Sequence, residues 1–131
     1  MSFLIDTNIC IYFLKGLFDL AEKFEKVGVD NLYISEITVA ELKFGAAKSN
    51  YPAKNKIVIA ELINKFKKIP IYNSLDIFAE EKARLQRQGN IVDDFDLLIG
   101  ATAIRNKMVL VTNNEKHFQR LQGISMENWT K

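Results

Sequence analysis

The chain has 131 residues, of which 48% are hydrophobic, and its 18 basic and 16 acidic residues give a net charge of +2. This length and apolar content are typical of one compact domain with a real core, so we expect residues 1–131 to form a single domain rather than a disordered segment. The charge balance, with a pI near 8.6, is too weak to indicate a nucleic-acid binder by itself.

Cysteine content and hydropathy bear on the compartment. Cys10 is the only cysteine, which excludes an intramolecular disulfide and a metal–thiolate cluster. The first residues carry no basic leader, and no segment approaches the roughly 18 apolar residues of a membrane span. We therefore expect a cytoplasmic protein without membrane association.

Apolar periodicity predicts strands that alternate with helices. In chain order the pattern predicts a strand over 3–5, helices over 7–15 and 18–27, a strand over 32–35, helices over 38–48 and 53–67, a strand over 69–72, helices over 75–88 and 95–106, and strands over 108–112 and 124–126. Such alternation is typical of a parallel sheet covered on both faces. The sequence therefore predicts an α/β fold, a three-layer α/β/α domain around a parallel sheet of about four to five short strands.

Four polar clusters stand where apolar elements end or helices begin, at residues 6–8, 35–41, 93–96 and 112–115. The carboxyl ends of parallel strands share one edge of a sheet, which is where ligands bind. Carboxylates gathered there raise one another's pKa unless a divalent cation compensates them. Oxygen ligands without a His or Cys cluster suit Mg²⁺ or Mn²⁺, ions that activate water and stabilise charge on a phosphodiester.

Each cluster also has a purely structural interpretation. Asp6 can cap the first helix, and the spacing of Thr38 and Glu41 matches a capping box. The acids at 93–96 complement a helix dipole, and the asparagines at 113–114 are common turn residues. Capping does not explain why all four clusters fall at one predicted edge.

The clusters and the apolar runs around them match a known family. The matching segments are Phe-Leu-Ile-Asp6-Thr-Asn, Ser35-x-Ile-Thr-x-Ala-Glu41-Leu-x-x-Gly45, Asp96-x-x-Ile-Gly-Ala-x-Ala and Leu110-Val-Thr112-Asn-Asn114-x-x-x-Phe118. Their order and spacing span nearly the whole chain. The chain thus resembles the PIN-domain ribonucleases, specifically the VapC toxins of prokaryotic VapBC toxin–antitoxin modules.

The resemblance implies roles for individual residues. It makes Asp6, Glu41 and Asp96 the catalytic metal ligands, directly or through water. The supporting polar residues it implies are Thr7, Asn8, Thr112 and Asn114, and further candidate ligands are Asp93, Asp94 and Glu115. Asn114 stands where the family often has Asp, so the chain is expected to hold a second ion weakly or to use one. Gly100 stands where the family usually has Ala.

The resemblance also implies an activity. The chain is expected to be the toxin of a type II toxin–antitoxin system, a Mg²⁺- or Mn²⁺-dependent endoribonuclease that uses a metal-activated water. The expected substrate is transfer RNA, often the initiator species, and its cleavage inhibits translation. The expected partners are a second copy of the chain and a VapB antitoxin whose C-terminal segment covers the site. No His, Ser or Cys nucleophile is implied, and His117 is interpreted as a surface or structural residue.

Two other functional interpretations stay open. A receiver-like or flavodoxin-like signalling domain also binds Mg²⁺ at strand ends, but it requires paired acids after the first strand and an Asp after the third. Here Asp6 is single, and the third strand leads to Asn73 and Ser74. A catalytically silent PIN module that binds only antitoxin or another protein is suggested by Asn114 and opposed by the three carboxylates.

Basic residues add two expectations. The lysines that we consider for RNA contact are Lys43, Lys54, Lys56, Lys65, Lys67 and Lys68, with Lys43 favoured because it lies near Glu41. On the helix predicted over 75–88, Glu80 and Arg84 have the i,i+4 spacing of an ion pair.

Overall fold

A computed structural model describes all 131 residues, and strands and helices alternate through most of the chain. In chain order the elements are β1 (Phe3–Ile5), α1 (Thr7–Leu14), α2 (Leu20–Val27), β2 (Leu32–Ser35), α3 (Glu36–Ala47), α4 (Pro52–Asn64), β3 (Lys67–Ile69), α5 (Leu75–Arg87), α6 (Asp94–Arg105), β4 (Val109–Val111), α7 (Glu115–Phe118) and β5 (Ser125–Glu127). Short 3₁₀ turns lie at Val29–Asn31 and Tyr72–Ser74. None of the helices has the length and apolar character needed to cross a membrane.

The five strands form one sheet in the order β3-β2-β1-β4-β5, and every pairing is parallel. In the central pair, Ile5 of β1 lies opposite Val111 of β4. The order differs from the 2-1-3-4-5 order of flavodoxin-like domains, which removes the receiver-like interpretation. The predicted parallel sheet is confirmed.

Two apolar cores cover the sheet, one on each face. Successive side chains of a strand point to opposite faces, so Ile5 joins the first core and Leu4 joins the second. Residues from α1, α2 and α4 complete the first core, and residues from α5, α6 and α7 complete the second. The three-layer α/β/α architecture is therefore confirmed.

Short polar side chains begin the helices that matter for the site. Ser35 caps α3, because its hydroxyl accepts a hydrogen bond from the Thr38 backbone N–H at 3.1 Å. Asp93 caps α6 in the same way. The capping-box interpretation of Glu41 is wrong, since the cap lies three residues before Thr38 and the Glu41 carboxylate faces Thr7 instead.

The third strand begins and ends earlier than the sequence predicts. It covers Lys67–Ile69 instead of 69–72, and Tyr72 lies in a 3₁₀ turn. Pro70 has no N–H for the ladder, and the Ile71 N–H donates instead to the Glu36 carboxylate at 2.9 Å. A tertiary contact thus takes the chain out of the sheet at this point.

The predicted ion pair between Glu80 and Arg84 is wrong. Arg84 instead makes a two-point contact with Glu81, with both N···O distances 2.8 Å. The Glu81 carboxylate also accepts from the Gln122 N–H at 2.8 Å. The Arg84 contact, and to a smaller extent the Gln122 hydrogen bond, lower the Glu81 pKa. Glu81 is buried against the chain that follows α7, which explains why it is the partner.

Gly100 lets α6 approach α7 and the chain after it. A Cβ at this position would collide with the Leu121 side chain and lie 3.3 Å from the Phe118 ring. Both side chains are buried in the second core, where little free space remains. The glycine is therefore required by packing rather than by backbone conformation.

We expect Gly100→Ala to lower the free energy of unfolding by about 1 kcal/mol, because the added methyl overpacks the second core. Adding Leu121→Val, which removes the colliding methyl, should restore part of this loss. Gly45→Ala is a matched control on α3, where a Cβ meets nothing within 4 Å. Urea unfolding of the variants measures these differences, and equal stabilities of Gly100→Ala and Gly45→Ala would contradict the packing explanation.

Candidate active site

The polar side chains meet at the carboxyl edge of the sheet, between β1 and β4. These strands are neighbours, while the chain runs outward in one direction from β1 to β3 and in the other from β4 to β5. Asp6 follows β1 directly, and Thr112 follows β4 directly. This is the topological switch point of the sheet, the place where open α/β sheets form a ligand crevice.

Asp6 is buried and held from two sides. Its Oδ1 accepts from the Thr7 N–H and its Oδ2 from the Thr112 hydroxyl, both at 2.8 Å. Burial raises the Asp6 pKa to about 6; the two hydrogen bonds oppose this shift, and the charges of Asp96 and Glu41 add to it. The side chain caps α1. It also presents to the crevice a carboxylate whose ionised form is made unfavourable by burial.

Glu41 reaches the same crevice from α3. Its Oε1 accepts from the Thr7 hydroxyl at 2.7 Å, and a hydrogen bond of 3.0 Å joins the hydroxyls of Thr7 and Thr38. Partial burial raises the Glu41 pKa, the Thr7 hydrogen bond lowers it, and the charges of Asp96 and Asp93 raise it further. Thr7 therefore links two carboxylates, through its N–H to Asp6 and through its hydroxyl to Glu41.

Asp96 enters from the first turn of α6. Asp93 sets that turn by accepting from the N–H groups of Phe95 at 3.1 Å and Asp96 at 3.3 Å. Burial and then the charge of Asp93 raise the Asp96 pKa, and the nearby His117 lowers it. The Nδ1 atom of His117 lies 3.5 Å from Asp96 Oδ2.

These three carboxylates form an electrostatic cluster with an open geometry. Each has a raised pKa, and Asp96 contributes to the shifts of the other two. No three acidic, histidine or cysteine side chains converge tightly enough to form a complete metal-binding group. Mg²⁺ commonly uses one or two carboxylates and keeps several waters, so an open set of oxygen donors with excess negative charge fits such an ion.

The other predicted site residues divide into three groups. Thr7 and Thr112 bind the carboxylates directly, and the backbone N–H of Asn114 donates to the Thr112 hydroxyl at 3.0 Å. Asn8 is exposed. The remaining acids are held elsewhere: Asp94 pairs with Lys82 at 2.9 Å, and Glu115 contacts Asn128 at 3.0 Å and Lys131 at 3.2 Å.

Sequence reasoning missed two residues at the crevice. The sequence predicts a capping role for Thr38, but its hydroxyl is hydrogen-bonded to that of Thr7. It predicts a surface or structural role for His117, but this side chain contacts Asp96. The short α7 that positions His117 carries no strong periodic signal, because it spans only Glu115–Phe118.

An apolar groove opens beside Glu41. It has a volume of about 390 Å³ and lies between α1, α3 and α4. Its apolar lining includes Ile11, Leu14, Leu42, Val58 and Ile59, and Glu41 and Lys15 contribute the charged groups. Glu41 thus borders both the acidic crevice and the groove, and Leu14 and Val58 of the groove lining are exposed.

Comparison with known proteins agrees with this geometry. The sequence model of the PIN-domain family matches residues 3–124. The chain belongs to the PIN-domain family. This PIN domain is 33% identical over 131 residues to ribonuclease VapC2 of Haemophilus influenzae, with 98% of each chain covered. It is 32% identical over 132 residues to the tRNA(fMet)-specific endonuclease VapC of Shigella flexneri, with 99% of each covered.

Solved structures of VapBC complexes share the fold. The PIN domain matches a chain of DNA-bound VapBC from Salmonella typhimurium with a TM-score of 0.92 and 32% identity, covering 98% of both chains. It matches a chain of VapBC2 from Rickettsia felis, bound to a promoter DNA fragment, with a TM-score of 0.90 and 31% identity, covering 98% of this chain and 99% of that one. The resemblance to VapC-type PIN ribonucleases is confirmed.

We expect Asp6→Asn to stabilise the metal-free protein by about 1–3 kcal/mol at pH 7, because each unit by which burial raises a pKa corresponds to about 1.4 kcal/mol. An amide can still accept from Thr7 and donate to Thr112. The folded-state pKa is raised from 3.8 to about 6, so the penalty is present above pH 6 and is lost as the pH falls from 6 to 3.8.

Thermal or urea unfolding from pH 4 to 8 measures this effect. The difference between Asp6→Asn and wild type should shrink on acidification, whereas exposed Asp94→Asn should change stability by less than about 1 kcal/mol. A difference for Asp6→Asn that stays constant from pH 4 to 8 would contradict the assignment.

Proposed function

We propose that this chain is the toxin of a type II toxin–antitoxin module and acts as an endoribonuclease. The observation that carries the proposal is the electrostatic cluster of Asp6, Glu41 and Asp96 at the switch point of a PIN fold. Full-length similarity to proteins named ribonuclease VapC and tRNA(fMet)-specific endonuclease VapC supports the activity. The site of action that follows from this role is the cytoplasm.

The proposed cofactor is Mg²⁺ or Mn²⁺, held by Asp6, Glu41 and Asp96. When bound, such an ion supplies Lewis acidity towards a phosphodiester and an attacking water. Thr7 and Thr112 orient the carboxylates, and Asn114 supports Thr112 through its backbone N–H. Because the Asn114 side chain is uncharged, we propose that the chain uses one ion or holds a second one weakly.

The proposed substrate is transfer RNA, with the initiator species as the first candidate, and its cleavage would inhibit translation. The name of the Shigella flexneri relative favours this choice. Among the lysines considered for RNA contact, Lys68 donates to the carbonyls of Ile63 and Phe66, and Lys67 lies over the Tyr33 ring. Lys43 stays the favoured candidate because it is on the same helix as Glu41.

The proposed partner is a VapB-type antitoxin, as in the VapBC complexes that share the fold. The apolar groove beside Glu41 fits a peptide segment with apolar side chains and one basic group that reaches the carboxylates. Such a segment would neutralise the toxin by covering the crevice. We also propose a homodimer and a toxin–antitoxin hetero-oligomer.

The test is cleavage of total bacterial RNA by purified, antitoxin-free protein with Mg²⁺ or Mn²⁺, with the new RNA ends mapped. We expect discrete cuts that disappear with EDTA and fall at least about 100-fold in Asp6→Asn, since removal of a group that stabilises transition-state charge has effects of this order. Asp30→Asn, a matched change of an exposed acid away from the crevice, should leave the cuts intact.

Two results would contradict parts of the proposal. Folded wild-type protein that cuts no RNA with either ion, yet binds a VapB peptide, would favour the catalytically silent PIN module. Cuts that persist in EDTA would exclude the metal dependence while leaving the nuclease in place.

A further inference from the structure

His117 lies in the short helix α7, next to a residue that is buried in the protein core. The neighbouring Phe118 is fully buried in the second core. The His117 ring is 59% exposed, and its Nδ1 faces the Asp96 carboxylate. His117 is the only histidine in the chain.

The contact between His117 and Asp96 follows from the packing of two helices. Asp96 and Gly100 are four residues apart on α6 and therefore lie on the same face of that helix. Because Gly100 has no side chain, Phe118 and Leu121 pack directly over it. This close approach brings His117, the residue before Phe118, alongside Asp96.

A second contact holds the far end of this segment. Arg84 donates to the Arg120 carbonyl at 2.8 Å, and Glu81 accepts from the Gln122 N–H at 2.8 Å. Arg84 and Glu81 are also paired with each other. The chain after Phe118 is thus held by α5, and Phe118 itself is buried in the second core. His117 therefore directly precedes an anchored segment.

The three carboxylates of the crevice differ in what orients them. Asp6 is held by Thr7 and Thr112, and Glu41 by Thr7. The Asp96 carboxylate has no threonine partner, and its polar side-chain partner is His117, whose Nδ1 lies 3.5 Å from Oδ2. Without that contact no polar side chain of the protein would orient the Asp96 carboxylate.

We propose that His117 is a positioning residue of the active site, which holds the Asp96 carboxylate through Nδ1 in the orientation that a divalent ion requires. This inference rests on the proposed function. Carboxylate ligands in metalloenzymes are themselves hydrogen-bonded by outer residues, and loss of such a partner typically weakens metal affinity or activity about 10- to 100-fold. With a proton on Nδ1, the imidazole is the side chain placed to donate to Oδ2 across the 3.5 Å between the two atoms.

The experiment compares three substitutions of His117 by direct measurement of Mn²⁺ binding to the antitoxin-free protein. His117→Asn can place an amide N–H near the position of Nδ1, whereas the longer side chain in His117→Gln places it near that of Nε2. We expect the Mn²⁺ dissociation constant to rise about 10-fold in His117→Ala and His117→Gln and to stay within about threefold of wild type in His117→Asn.

RNA cleavage at subsaturating Mn²⁺ should follow the same order, and saturating Mn²⁺ should restore most of the lost rate. Gln119→Ala is the matched control, because Gln119 is exposed and follows α7 directly. It should leave both binding and cleavage unchanged. Thermal unfolding without metal should give similar Tm values for all variants, which separates positioning from a loss of folding.

Three outcomes would overturn the role of His117 alone, with wild type still binding Mn²⁺ and cutting RNA. In the first, His117→Ala binds Mn²⁺ as tightly as wild type. In the second, His117→Asn is as weak as His117→Ala. In the third, cleavage falls but Mn²⁺ affinity does not, which would place the imidazole on the RNA. Wild type that neither binds Mn²⁺ nor cuts RNA would instead overturn the proposed function, and the role of His117 with it.

Discussion

The buried carboxylate of Asp6 links the fold to the site. Asp6 directly follows β1 and caps α1. It also accepts a hydrogen bond from Thr112, which directly follows β4 and lies 106 residues away in sequence. Burial of an ionised group is unfavourable, and only two hydrogen bonds offset it here. The same burial makes the carboxylate respond strongly to nearby charge, because there is little water to screen it. The buried carboxylate therefore lowers the stability of the folded protein and at the same time attracts cations strongly.

Strand register determines which residues meet around Asp6. Pairing of Ile5 with Val111 places the next residue of each strand, Asp6 and Thr112, side by side. The Ser35 cap starts α3 immediately after β2, so that Glu41 lies one and a half turns into a helix that begins at the same edge. The side chains thus converge because parallel strands end together, and no long loop is needed to bring them there.

Much of this arrangement could be predicted from local patterns. Apolar runs that end in polar residues locate β1, β2 and β4, and helix caps locate the starts of α1 and α6. The three-layer architecture follows from the alternation of strands and helices. Position-by-position resemblance, rather than periodicity, selects Asp6, Glu41 and Asp96 from the other acids, and the structure brings these three into electrostatic contact.

The features that could not be predicted depend on distant contacts. The end of β3 depends on Glu36, which binds the Ile71 N–H 35 residues later in the chain. Helical spacing allows either Glu80 or Glu81 to pair with Arg84, and Gln122 decides between them because its N–H binds Glu81. His117 lies beside Asp96 because Gly100 has no side chain and so lets Phe118 and Leu121 pack directly over α6. The periodicity of apolar residues does not reveal such a close approach.

Asn114 does not decide whether this PIN domain is catalytic or silent, whereas Asp6 does bear on that question. Asn114 supports Thr112 through its backbone N–H, a contact that does not require a charged side chain. Asp6 has no such freedom, since its ionised form is unfavourable in the absence of a cation. A module that only bound a protein would be more stable with an uncharged residue there, because burial of the Asp6 charge is unfavourable. Such a loss of stability is common at functional sites. The buried charge at Asp6 therefore supports the proposed catalytic role over a scaffolding role.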